Sequence, residues 1–250
     1  AMAAMTPEGL DAYKRHDTEE VDAGERPKAF DYDRYMWLVQ LGRRLDWDAQ
    51  AWWEATPFRV ADPTMTFCLL RANRDLLAIG RALDLDTAEI PGWIARLEAG
   101  AASLWNPDIA SFDAFDTRAG RFAGCVSNAS VLCWYAGLDD DRMRPHLDRM
   151  CRAVRFPVPS HDPESPRFEP RRYWRGPTWA MQNALIALGL VECGHGAAAA
   201  DLRSRTARLI AENGFAEYFS PLDGSPAGGR NFTWTAAIWL AWASPSAGDV

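Results

Sequence analysis

The chain has 250 residues, 48% of them hydrophobic and 12 of them tryptophan, enough to bury a core in one large domain or two small ones. A formal net charge of −7 argues against a nucleic-acid partner, which would favour a basic face. No run approaches the roughly 18 apolar residues of a membrane span, and Ala1–Met5 lacks the basic and apolar regions of a signal peptide, so a cytoplasmic protein off the membrane is expected.

Residues 1–30 are polar and read as loop or weak helix. Tyr35, Leu38, Leu41 and Leu45 then recur at three or four, which predicts a helix over 31–46. Asp62 is a good N-cap and Pro63 a good first residue for a second helix, reaching about Leu83. A third spans 88–105, with Ile90, Ile94 and Leu97 on one face. Alternation through Phe112–Asp116, followed by Gly120, predicts a short hairpin or ordered loop near 107–125. The run 128–137 is apolar nearly all round and reads as a helix. The next, 140–154, is amphipathic through Met143, Leu147, Met150, Cys151 and Val154. A proline-rich loop over 155–176 leads to a helix over 177–194, expected to start at Pro177. An amphipathic helix over 197–213, a loop carrying Glu217 and an apolar helix over 232–242 complete the chain.

Eight helices result, and apolar ones alternate with amphipathic ones. A helix buried on all faces needs neighbours on all sides, and a helix with one stripe covers something. Two layers are expected, inner helices lined by outer ones. No close sequence repeat accompanies them, so a closed α/α barrel is preferred to a solenoid.

Several chemistries are absent. The five cysteines are scattered without a Cys-x-x-Cys, so neither a zinc site nor a disulfide framework is expected, and a reducing compartment suits them. The four histidines have no metal spacing. Ser160-His161-Asp162 holds the letters of a triad, but adjacent side chains point apart. Gly224–Gly229 is glycine-rich but follows no predicted strand, so no phosphate or dinucleotide loop is read there, and no cofactor is expected.

Three stretches remain. Tyr173-Trp174-Arg175-Gly176-Pro177-Thr178-Trp179, running on to Asn183, puts flat rings and a forked cation on a Gly-Pro loop. That suits a polar, ring-shaped ligand, and it equally suits core packing before a helix. Glu217, between aromatics at Phe215 and Tyr218, is a candidate acid or base whose surroundings set its acidity; a loop glutamate is also commonly just solvated. Asp11, within Gly9–Asp17, is unremarkable by itself.

Tyr173-Trp174-Arg175-Gly176-Pro177 with Trp179 and Asn183 resembles the signature of the (α/α)6-barrel glycosidases. That group includes processing α-glucosidases, trehalases and the hydrolases of mannosylglycerate and glucosylglycerate. Pro159-Ser160 with Phe168 and Pro170 resembles the family's lead-in loop. Glu217-Tyr218-Phe219 with Pro221 and Gly224 resembles the segment of its general base, and Phe232 with Trp234-Thr235-Ala236-Ala237 its closing inner helix. Gly9, Asp11, Arg15 and Asp17 match the family's general-acid segment, whereas Ala12, Tyr13, Lys14 and His16 depart from it.

The resemblance implies an all-α, toroid-type (α/α)6 barrel. With about eight of twelve helices it would be incomplete, lacking those before the acid segment, in a single catalytic domain over 1–250. It implies inverting hydrolysis of a small α-glucoside or α-mannoside, with Asp11 as acid and Glu217 as base. Trp174, Trp179 and Trp234 would wall the subsite. Arg15, Asp17, Tyr173, Arg175, Gly176, Asn183 and Tyr218 would contact the sugar or orient the pair. An arginine fork would suit a glycerate carboxylate. The departures around Asp11 leave open a noncatalytic sugar-binding domain, and a helical scaffold with an aromatic core is the reading that needs no ligand at all.

Overall fold

The computed structural model describes Met5 and residues 9–247. Ala1–Ala4 of the N-terminal run considered above lie outside the described residues. Among the described residues there are eight α-helices: α1 (Ala29–Arg44), α2 (Ala49–Ala55), α3 (Pro63–Ala82), α4 (Ile90–Ser103), α5 (Arg144–Ala153), α6 (Ala180–Glu192), α7 (Gly196–Asn213) and α8 (Thr233–Ile238). A π-helical turn, Trp239–Ala243, continues α8.

These are not the eight that the sequence predicts. Helix α2 is additional: Asp48 caps it by accepting the Ala51 N–H at 2.8 Å. The run 128–137 is not an α-helix. It forms a 3-10 segment, Ser130–Cys133, between turns, with all four residues buried. An all-apolar run has no face to specify a period, so packing decides its conformation. Pro177 does not open a helix either. Thr178 pairs with Phe219 through both backbone groups (2.8 and 3.0 Å), which holds 177–179 extended and delays α6 to Ala180.

Short strands carry the irregular regions. β1 (Val60–Ala61), β4 (Phe115–Asp116) and β5 (Arg121–Phe122) form an antiparallel sheet in the order β1-β4-β5, and β2 (Trp105–Asn106) pairs with β3 (Ser111–Phe112). The hairpin expected near 107–125 is thus two hairpins. The last pair, β6 (Ala216–Phe219) and β7 (Pro226–Arg230), replaces the expected loop around Glu217.

One large core runs through α3 to α7. Phe67 and Leu70 of α3, Ala101 of α4, Leu147 and Met150 of α5, Ile186 and Leu190 of α6 and Leu202 of α7 meet around Trp134. Helix α6 is buried on most sides, as its composition predicts, and α7 is amphipathic against it. Helix α3 behaves differently. Met65, Leu69, Leu76, Ile79 and Leu83 form an exposed apolar seam on the side away from Phe67 and Leu70.

Candidate active site

Glu217 sits at an irregularity in the β6–β7 hairpin. Ala216 pairs with Arg230 and Tyr218 with Ala227, so Gly228 and Gly229 together stand opposite Glu217. Such a bulge re-aims the side chain beside it. Gly228 has φ +70°, and a Cβ there would lie 2.6 Å from Glu217 Oε2 and 2.6 Å from the Tyr218 ring. Conformation and space therefore both require glycine. The glycine-rich stretch set aside in the sequence does follow a strand, and its work is to cradle a carboxylate.

Both oxygens of Glu217 are held. Arg26 donates from Nη1 to Oε1 at 3.0 Å and from Nη2 to Oε2 at 2.8 Å, and Gly229 donates its N–H to Oε2 at 2.9 Å. Glu217 is only 8% exposed. Burial opposes the charge on Arg26, but the hydrogen bonds and charge of Glu217 outweigh it and raise the guanidinium above its ordinary value.

Arg26 follows a 3-10 turn, Ala23–Glu25, capped by Asp22, and this turn ties the site together. The buried Glu25 accepts the Gly228 N–H at 2.7 Å and pairs with Arg171. Its carbonyl accepts from the Tyr173 N–H at 3.1 Å and from the Tyr218 hydroxyl at 2.8 Å. Burial pushes the Tyr218 hydroxyl up, so it stays a donor, and burial followed by the charge of Glu217 does the same to Tyr173.

The aromatic loop joins this frame from the other side. Tyr173 adopts φ +39°, a left-handed conformation uncommon outside glycine, which turns the chain between its neighbours. Trp174 and Trp179 stack with centroids 4.1 Å apart and planes 5° from parallel. Trp179 is buried and donates its indole N–H to the Tyr173 carbonyl at 3.1 Å, whereas Trp174 keeps 38% exposure. Gly176 donates to the Ser160 hydroxyl at 3.0 Å, and a Cβ there would meet the Glu169 carbonyl oxygen at 2.5 Å. Arg175 is half exposed and pairs with Glu169.

The Gly9–Asp17 segment lies along α1. Gln40 of α1, buried, receives the Asp11 N–H at 2.9 Å and donates to the Asp11 carbonyl at 3.2 Å, which leaves the exposed Asp11 carboxylate unconstrained by that anchor. Arg15 and Asp17 form a forked pair at 3.0 and 2.6 Å, and Arg15 lies 4.2 Å over the Tyr32 ring. The Arg15 hydrogen bonds hold the Asp17 carboxyl below the usual aspartate range, and Arg26 contributes at longer reach.

Some expected contacts are turned inward instead. Asn183 is fully buried: its amide accepts the Val158 N–H at 2.8 Å and donates to Pro157 O at 2.5 Å and to the Thr206 hydroxyl at 2.9 Å. It clamps the 157–158 backbone to α7 and has no exposed atom to offer. The Tyr218 ring is buried too. Trp234 is 52% exposed at the start of α8, in edge contact with Phe232; the neighbouring Thr235 hydroxyl donates to the Ala216 carbonyl at 2.6 Å, which ties α8 to β6. Arg26 and Glu25 carry no signal in the sequence. The glycines at 228 and 229 were the available one.

Beside the aromatic loop lies a cavity of about 420 Å³ lined by Asp31, Arg34, Tyr35 and Leu38 of α1, Phe58, and Arg172–Arg175. Its wall is largely apolar, with guanidinium groups at intervals. Elsewhere, among the described residues, Asp139, Asp141 and His195 have ligand atoms within 4.8 Å of one another, the arrangement of a possible cation site, but Asp139 already pairs with His195 at 2.8 Å. No helix is long and apolar enough to cross a membrane among the described residues.

Residues 1–235 match the family model described as the mannosylglycerate hydrolase MGH1-like glycoside hydrolase domain. The chain is 38% identical over 245 residues to the mannosylglycerate hydrolase of Thermus thermophilus, covering 96% of this chain and 59% of that protein. It is 30% identical over 258 residues to the glucosylglycerate hydrolase of Mycolicibacterium hassiacum, covering 97% and 57%. Its fold superimposes with a TM-score of 0.92, at 37% identity, on the crystal structure of a GH63 mannosylglycerate hydrolase from Thermus thermophilus in complex with Tris and D-glycerate, covering 95% of this chain and 59% of that one. The chain thus spans less than two thirds of the length of these relatives. By the match over residues 1–235, it belongs to the MGH1-like glycoside hydrolase family.

Proposed function

We propose that this chain carries the acid–base centre of an inverting glycoside hydrolase acting on a small α-glycoside of glycerate, with mannose or glucose as the sugar. The observation that carries the reading is Glu217: a buried carboxylate on a bulge, fixed by Arg26 and Gly229 and flanked by stacked aromatics. Glu217 acts as general base and Asp11 as general acid. A water attacks the anomeric carbon and gives its proton to Glu217. The bond to the glycerate oxygen breaks, and that oxygen takes the proton of Asp11. Inversion requires the two carboxyl groups to stand about 6.5–9.5 Å apart in the productive complex. Trp174 supplies the sugar platform and Trp234 an outer wall. Arg175, with the cationic lining of the adjoining cavity, suits the carboxylate of glycerate. The names of the relatives support glycerate as aglycone. Five unpaired cysteines suit a reducing, cytoplasmic compartment.

The test is hydrolysis of mannosylglycerate and glucosylglycerate followed by proton NMR. The first-formed sugar is expected as the β-anomer from an α-glycoside. A first product of retained configuration would rule out the inverting mechanism.

We further read the helices as part of an (α/α)6 toroid whose remaining wall would cover the open face of α3. The seam of Met65, Leu69, Leu76, Ile79 and Leu83 supports this, because a helix striped on two sides needs two neighbours. Among the described residues that face is unpacked, so Leu76→Gln with Ile79→Gln is expected to change stability by no more than about 0.5 kcal/mol per site, as at any exposed position. A thermal melt that falls by many degrees would show that the seam is already packed.

A further inference from the structure

The Ala23–Glu25 turn does not need the Arg26 side chain to stay in place. Glu25 alone fastens it to Gly228, Arg171, Tyr173 and Tyr218, and Arg172 donates to the Arg26 carbonyl at 2.8 Å. The Arg26 guanidinium, by contrast, turns its whole fork on one carboxylate. The Tyr173 ring also stands beside it, 5.5 Å from Cζ to centroid. Its Nε–H is buried and has no acceptor among the described residues, so one directed donor remains at the site.

The hydrogen bonds distinguish the two oxygens of Glu217. Oε2 accepts from both Arg26 Nη2 and the Gly229 N–H; Oε1, among the described residues, accepts only from Arg26 Nη1. A carboxylate oxygen has room for about two good hydrogen bonds. Oε2 is therefore filled, and Oε1 keeps one lone pair for an incoming proton.

Taking Glu217 as the base, as above, we infer that Arg26 is its positioning residue: the fork fixes the carboxylate so that Oε1, and not Oε2, takes the proton of the attacking water. A free carboxylate would rotate between equivalent oxygens and wander by tenths of an ångström. Orientation of this kind acts on the chemical step and leaves sugar binding to the aromatic wall.

The test compares Arg26→Met, Arg26→Lys and Arg26→Ala with Glu217→Gln in the same chain. Arg26→Met is expected to lower kcat on the order of 10²-fold, with KM little changed. Arg26→Lys, a point charge without a fork, should fall between Met and the parent. Millimolar guanidinium should restore part of the kcat of Arg26→Ala and none of that of Arg26→Met, where the side chain fills the space.

If Arg26→Met keeps the parent kcat while Glu217→Gln is inactive, positioning by Arg26 is overturned and the base stands. If Glu217→Gln is itself active, the base assignment falls first. A preparation without turnover still decides the matter. With 13C-labelled glutamate, the carboxyl signal missing from Glu217→Gln identifies the residue. Loss of the fork should move or broaden that signal in Arg26→Met, and an identical signal in the two overturns the inference.

Discussion

Glu217→Gln is expected to lower kcat on the order of 10²–10⁴-fold, the range that one positioned general base contributes. This corresponds to about 3–5 kcal/mol of transition-state stabilisation. The substitution keeps the size and shape of the side chain, so the Trp174 face and the sugar contacts persist and KM should move little. It does disturb the frame. Arg26 presents two donors to what is now an amide, whose oxygen can accept from one while its NH2 group opposes the other. The pair is nearly buried, with Arg26 and Glu217 side chains 13% and 8% exposed, so water compensates poorly. A loss of about 1–3 kcal/mol of stability follows from the unmatched donor. Assays at 25 °C with circular dichroism beside them separate the two effects: a folded variant with almost no turnover is the expected result. A folded Glu217→Gln that keeps a tenth or more of the parent activity would remove Glu217 from the base role.

What could be read in the sequence, and what could not, follows from the range of the interactions. Helices α4 and α7 were legible because each has its own period, and α3 because Asp62 caps it and Pro63 opens it. The run 128–137 was misread because its apolar residues carry no period and its shape is decided by packing in the core. Pro177 was misread for a similar reason. The proline permits a helix, but pairing of Thr178 with Phe219 competes and wins. At the site, Glu217 stood out through its own neighbours in the chain. Arg26, 191 residues away in sequence, had no such marker, since nothing local announces a pair that only folding brings together. Asn183 was recognised as special but not for its actual work, which is to hold the 157–158 backbone and, through it, the lead-in to the aromatic loop.

Gly189→Ala tests the packing that brings these segments into register, and it should go against helix propensity. Gly189 lies inside α6, where alanine is intrinsically better by about 1 kcal/mol. The same substitution at Gly100 in α4 should follow that preference: a Cβ there meets nothing within 4 Å, and a gain of about 0.4–1 kcal/mol is expected. At Gly189 the added Cβ would lie 2.2 Å from the Tyr135 nitrogen and 2.3 Å from the Trp134 carbonyl carbon. Both are backbone atoms, so no side chain can rotate away. Trp134 is itself fully buried in the main core, and Ser130–Cys133 just before it is buried as well. Either α6 or the 134–135 backbone must move, and overpacking of this kind costs typically 1–3 kcal/mol and occasionally more. With two rigid elements in conflict the upper part of that range applies. A net loss of about 2 kcal/mol remains after the propensity gain. In a chain of this size that lowers the melting temperature by roughly 4–8 °C. The displacement would also travel along α6 to Asn183 and the backbone it clamps, so activity should fall beyond what the unfolded fraction explains. Opposite signs for Gly100→Ala and Gly189→Ala in one set of melts would establish that the close approach of α6 to the 134–135 backbone is real. A Gly189→Ala variant as stable as Gly100→Ala would mean that α6 and the 134–135 backbone separate at little cost.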